Sequence, residues 1–217
     1  MREKHQMTDI FHSNLLFGCN YDGNLEIPYI EMDNVIPNKL ISFSKALSTK
    51  DFNQWVHFYE HDEKFERIWN SPLKYLSKLK KFNGIITPDF SLYRDMPLVT
   101  QQYNTFRGRS LGSWWQKNGL RVLPNVRWSD ERTYDLCCMG LQQFGTICIG
   151  THGCLRKKID KSFFINGLKI VVCKLKPKNI VIYGKTSNEI AEICNKNNVK
   201  IFQFKSEFEE SRIGGNV

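Results

Sequence analysis

GTICIG (145–150), DKSFFINGLKIVVCKLK (160–176) and NIVIYG (179–184) read as one unit: an apolar run of strand length, an amphipathic helix, and a second apolar run. Phe164, Leu168, Val171, Val172 and Leu175 fall in a single stripe, predicting a helix over 161–176. Asp160 stands before its first turn, and Lys174, Lys176 and Pro177 stand at its end, where the helix dipole and the proline rule favour them. A helix crossing between two strands predicts that the strands run parallel.

The same alternation extends outward. LISF (40–43), WVHFYE (55–60), GIITPDF (84–90), RVLPNV (121–126) and KIFQF (200–204) complete a set of seven strand candidates. Between them, Phe65, Ile68 and Trp69 begin a helical pattern over 63–81 that restarts at Ser71-Pro72 and continues through Leu76 and Leu79. Val99, Tyr103, Phe106 and Trp114 share one side of a helix over 97–118, started by Pro97 and stopped by Gly119. Thr186 with Glu189 reads as a capping box for a helix through Asn197. The expected fold is α/β: a mostly parallel sheet with crossover helices, arranged as a compact or incomplete TIM-barrel-like structure. An open doubly wound sheet is the runner-up. A complete barrel usually takes about 250 residues, so an eight-fold one would be lean here. Residues 1–35, with the NYDGN turn, read as an irregular N-terminal arm, 36–205 as one α/β domain, and 206–217 as a flexible tail.

Length and charge bound the function. At 217 residues the chain can bury a core without disulfide or metal staples. Its 31 Lys and Arg against 22 Asp and Glu give a net charge of +9, which favours an anionic partner and sets no chemistry. Seven cysteines without CxxC spacing read as small buried hydrophobes in a reducing compartment, the cytoplasm. No apolar stretch approaches membrane-spanning length, and MREKHQMTDIFHSN has no signal-peptide core, so no membrane partner is expected.

In a parallel α/β protein the carboxyl ends of the strands share one face, and three strands here end in chemically loaded turns. TPDFSLYRD places Asp89 at a strand exit as a base, a metal ligand or a turn cap, with Tyr93, Arg94 and Asp95 beside it. PNVRWSDER brings Asn125, Arg127, Trp128, Asp130 and Glu131 together. A guanidinium there suits phosphate or carboxylate, and an indole can stack on a base or pack the end of the sheet. THGC offers His152, an imidazole suited to acid–base work, beside Cys154. His152 and Asp89 are the candidate catalytic pair; Tyr93, Arg94, Asn125, Arg127, Trp128, Asp130 and Glu131 are the candidate ligand-binding set. A divalent metal is the cofactor such residues would take, its identity and ligands being open. His57 and His61 with Glu60 can join the rim or be plain surface histidines. YGKTSNE lacks the full phosphate-loop spacing. In FRGRSLGSWW, Arg107 and Arg109 suit either a nucleic-acid backbone or a solvated helix face.

NVIPNKLISFSKALSTKDFNQWVHFYEHDEKFERIW (34–69), GIITPDFSLYRDMPL (84–98), the Trp-rich helix to Asn118-Gly119, VLPNVRWSDERTYD (122–135) and GTHGC (150–154) together carry a family resemblance. They resemble the domain-of-unknown-function 4417 family of phages, prophages and other mobile elements, over about residues 35–185. The resemblance implies a cytoplasmic or phage-related protein and assigns no role to any residue. Two functional readings stand on the residues. In one, the rim binds nucleic acid or a nucleotide, with phosphoester hydrolysis: Arg127 holds phosphate, His152 moves protons and Asp89 is base or metal ligand. In the other, the chain is a non-catalytic module, such as a counter-defence factor that binds a host protein or sequesters a nucleotide.

Overall fold

The computed structural model describes residues 11–207 and residue 209. It opens with a helical turn, α1 (Ser13–Leu16), and an antiparallel pair, β1 (Tyr21–Asp22) with β2 (Ile27–Pro28). The predicted arm is therefore not wholly irregular. Its Asp22-Gly23 turn, with Gly23 at φ 62°, folds two short strands onto each other. The first ten residues of that arm lie outside the described part, as does the predicted tail apart from Ser206, Glu207 and Glu209.

β3 (Leu40–Ser42), β4 (Trp55–His57), β5 (Gly84–Ile86) and β6 (Val122–Leu123) pair in parallel in that order. β7 (Thr146–Gly150), β8 (Asn179–Tyr183) and β9 (Lys200–Phe204) form a second parallel sheet. Each strand lies within an apolar run read from the sequence. An isolated parallel bridge, Asn125 with Cys148, carries the order from one sheet to the next; Val126 N donates to Cys148 O at 2.8 Å and Cys148 N to Pro124 O at 2.9 Å. The order is sequential throughout, without the reversal that defines a doubly wound sheet. Among the described residues β9 and β3 do not pair, so no closed barrel forms. An ion pair, Lys45 to Glu207 at 2.9 Å, links the segments that follow these two edge strands.

The crossovers are α2 (Phe43–Ala46), α3 (Asp62–Asn70), α4 (Pro72–Leu79), α5 (Leu98–Lys117), α6 (Lys158–Leu175) and α7 (Asn188–Lys196), with two 3-10 turns between β6 and β7. Side chains alternate across each strand, which divides the apolar residues into two clusters. Trp55, Ile86, Leu123, Cys148 and Val181, joined by Leu40, Phe202 and Phe204, meet in one cluster that draws on all seven parallel strands. Val56, Ile85, Val122, Ile147, Ile149, Ile180 and Ile182 join the larger cluster with the helices. Burial on both faces explains why these strands read as continuous apolar runs.

Two helices depart from their predicted form. In α5 the expected apolar side is inside only at its carboxyl half: Trp114 is in the core and Phe106 packs against it, whereas Val99 is 69% and Tyr103 48% exposed. Gln101, Asn104, Arg107, Arg109 and Ser110 are buried as well, beside Leu111 and Trp115. Gly112 lets the helix approach Ile30 and Thr87, which a Cβ would meet at 2.4 and 2.7 Å. Arg107 pairs with Glu66 and Asn104 and lies over the Phe90 ring. Arg109 donates to the carbonyls of Met139, Asn125 and Cys137 at 3.0, 3.0 and 2.7 Å. Both arginines, read as candidates for a nucleic-acid backbone, are thus internal struts. At α7 the cap is Ser187, whose Oγ accepts from Ile190 N, and the buried Thr186 Oγ1 has no hydrogen-bond partner. The helix begins one residue later than the capping box implies.

Candidate functional site

Three strand exits build one polar chain. Tyr59 lies two residues past β4, Asp89 three past β5, and Asn125 and Arg127 two and four past β6. Tyr59 Oη donates to Asn125 Oδ1 at 3.0 Å, Asn125 Nδ2 donates to Asp89 Oδ1 at 2.8 Å, and Arg127 Nη1 stands 3.5 Å from Asp89 Oδ2. Asn125 is held from behind by its backbone: its N–H donates to Thr87 Oγ1 at 2.8 Å and its carbonyl accepts from Arg109. The Asp89 turn is fixed by the buried Phe90 and by Ser91. Ser91 donates from N and Oγ to Asp62 at 3.0 and 2.8 Å, and its carbonyl accepts from Asn104 at 2.7 Å.

Burial pushes the Asp89 carboxyl above the usual carboxylate range, opposed by the Arg127 charge and the Asn125 amide. The Asp89 charge in turn holds Arg127 protonated. Burial also raises the Tyr59 phenol, whose ring stacks on Tyr183 at 4.8 Å. Gly150 makes room for that stack, since a Cβ there would meet the Tyr59 ring at 2.9 Å. Beneath it lies His57, only 2% exposed, with its ring 4.5 Å from Tyr183 and its Nδ1 accepting from Tyr59 N at 3.1 Å. Burial lowers its pKa to about 3. His57 is therefore an internal neutral imidazole, not the surface or rim histidine that the sequence offers.

These exits surround a cavity of about 950 Å³ at the carboxyl ends of the strands. Asp89, Arg127 and His152 line it together, and Asn125 joins through its hydrogen bond to Asp89. Of the other candidates, Tyr93 and Arg94 stand at the lip, with Arg94 paired to Asp160 at 2.6 Å. Trp128 reaches the wall, but its indole is 6% exposed, packs on Phe164 at 5.0 Å and donates from Nε1 to Phe164 O at 3.2 Å. Asp130 and Glu131 are not among the lining residues; Asp130 faces Arg132 and caps the first 3-10 turn. Their charge density in PNVRWSDER marks a local ion pair.

His152 is exposed in the turn after β7, and Cys154 behind it donates weakly to the carbonyls of Gly150 and His152. Burial raises the Cys154 thiol, the reverse of what an activated nucleophile needs. Among the described residues no three His, Cys, Asp or Glu side chains converge as a metal-binding group, so Asp89 has Asn125 and Arg127 as partners rather than fellow ligands. Tyr59, Tyr183 and Glu207 are the site components that strand-end reasoning missed. The alternation in WVHFYE, carried past the end of β4, is the signal that could have found Tyr59.

The family described as Domain of unknown function (DUF4417) matches residues 19–205, which includes every strand exit around the cavity. The chain belongs to this family. It is 34% identical over 176 residues to the Gene 1 protein of Mycobacterium phage L5, covering 79% of this chain and 76% of that protein. It is 35% identical over 130 residues to the Gene 1 protein of Mycobacterium phage D29, covering 60% of this chain and 48% of that protein. The match thus spans about half the length of the D29 relative. No solved structure matches the chain significantly. No helix among the described residues is long and apolar enough to cross a membrane.

Proposed function

We propose that the strand-end cavity binds an anionic ligand of the nucleotide or nucleic-acid class on Arg127, with Asp89 and His152 placed for proton transfer in phosphoester hydrolysis. The scaffold works as an incomplete (β/α) barrel: its strands run parallel in sequential order, their inward residues share one cluster, and the cavity opens at their carboxyl ends, where barrel enzymes place their sites. The observation that carries the reading is Arg127. Its side chain is 22% exposed at the cavity, its Asp89 contact is long at 3.5 Å, and its buried Nε has no hydrogen-bond partner. A guanidinium with donor capacity left over suits a phosphate or carboxylate. The similarity to two mycobacteriophage proteins supports a phage context for the chain.

A non-catalytic reading, a counter-defence module that sequesters a nucleotide or engages a host protein, draws on one observation: Asp89 is already committed to Asn125 and Arg127. Purified protein, with and without Mg²⁺, Mn²⁺ or Zn²⁺, tested against nucleic acids and cyclic nucleotides separates the two. Hydrolysis lost in both Asp89→Asn and His152→Ala, with the far-ultraviolet circular dichroism of the folded protein retained, is the expected result. Binding that depends on Arg127 without any turnover favours the module, and activity equal in wild type and variants rules out the two catalytic roles.

A further inference from the structure

The charge of the chain and the charge of the cavity differ in sign. Among the Lys, Arg, Asp and Glu residues that line the cavity, three are cationic and five are acidic, although the chain carries a net charge of +9. The cations are few. Arg94 is paired with Asp160 at 2.6 Å, and Lys64, 56% exposed, stands 3.8 Å from Glu60 with its ammonium mainly in water. Arg127 alone combines a long ion-pair contact with an unpartnered Nε. A polynucleotide entering here would set several phosphates against carboxylates, each like-charge approach costing free energy. One anionic group can be held; a row of them cannot. Around Arg127 stand acceptors, Asp95 at the lip and Glu207, which also faces Lys45, and the half-buried Tyr59 ring. Carboxylates accept hydrogen bonds from hydroxyl and amine groups, and ring faces suit a sugar or a base. The volume, about 950 Å³, is that of a small-molecule pocket.

Resting on the reading of Arg127 as the anion holder, we infer that the ligand is a small molecule carrying one phosphate-class group and several hydroxyl or amine donors, such as a sugar phosphate or a nucleoside monophosphate, and not a nucleic-acid chain. The test is calorimetric titration of the protein with inorganic phosphate, ribose 5-phosphate, adenosine 5′-monophosphate and a short single-stranded oligonucleotide. At least one of the two phosphorylated small molecules binds at least about ten-fold tighter than phosphate, because the hydroxyl groups add contacts. Its affinity falls only about three-fold between ~50 and ~200 mM salt, as one phosphate contact requires, whereas six or more contacts lose roughly a thousand-fold. Arg127→Gln abolishes the binding. Because that change leaves Asp89 buried without its cation, the neutral pair Asp89→Asn with Arg127→Gln is measured alongside, and it loses binding while keeping the fold. Arg127-dependent binding of the oligonucleotide, tighter than any monomer and steeply salt-dependent, overturns this inference and leaves the anion site standing. Phosphate binding as tightly as both small molecules overturns the assignment of hydroxyl or amine contacts. No Arg127-dependent binding of any probe overturns both readings.

Discussion

Single side chains in this protein are placed by what they would cost if left alone. Arg109 satisfies three buried carbonyls, and those carbonyls belong to the segments that carry Asn125 and the Cys137–Met139 turn. Arg109→Met keeps the packing volume and removes every donor, so it should lower stability by about 3 kcal/mol or more, read as a shifted denaturant midpoint. His57 makes a pH prediction with a definite sign. Unfolded, it titrates near 6.5; folded, its pKa is about 3, so the unfolded chain binds the extra proton between those values. The His57 contribution to stability is whole above about pH 6.5 and falls as pH drops, by up to about 1.4 kcal/mol per unit. Denaturant midpoints near neutrality and near pH 5 should differ by less in His57→Gln than in wild type. Equal losses in both proteins would mean that the imidazole is charged in the fold.

At the scale of elements, the chain shows where local pattern suffices. All seven parallel strands fall in the apolar runs from LISF to KIFQF, and α6 (Lys158–Leu175) covers the stripe from Phe164 to Leu175. These elements bury their apolar residues against others of the same kind, so local pattern and tertiary demand agree. α5 does not follow the rule. Pinned against the turn after β5 and the N-terminal segment, it buries Arg107 and Arg109, whose partners lie far away in sequence, and no local period reports a carbonyl 30 residues distant. The cap of α7 is a second case, and it is testable. Ser187→Ala should cost about 1 kcal/mol by removing the acceptor for Ile190 N. Thr186→Val should be neutral or mildly stabilising, because its buried Oγ1 has no partner to lose. Reversal of the two effects would restore Thr186 as the cap.

At the scale of the whole molecule, the two sheets share one interior. Trp55, Ile86, Leu123, Cys148 and Val181 come from five strands in both sheets, so a cavity made at one is felt by all. Trp55→Ala should lower stability by about 3–5 kcal/mol. Unfolding of wild type should be one cooperative transition, with tryptophan fluorescence and far-ultraviolet circular dichroism coinciding. Two separated transitions would show that the sheets fold independently.

The sequence by itself determined the α/β class, the parallel strands, their seven positions and the strand ends that carry Asp89, Asn125, Arg127 and His152, because apolar period and turn chemistry are local properties. Only the tertiary structure decided which of those residues meet. The Tyr59–Asn125–Asp89–Arg127 chain, the burial of His57 and Trp128, the pairing of Asp130 with Arg132 and the failure of β9 to pair with β3 among the described residues all depend on distances between segments far apart in the chain. Burial and hydrogen-bond partnership are properties of a neighbourhood, and a neighbourhood exists only once the strands have been brought side by side.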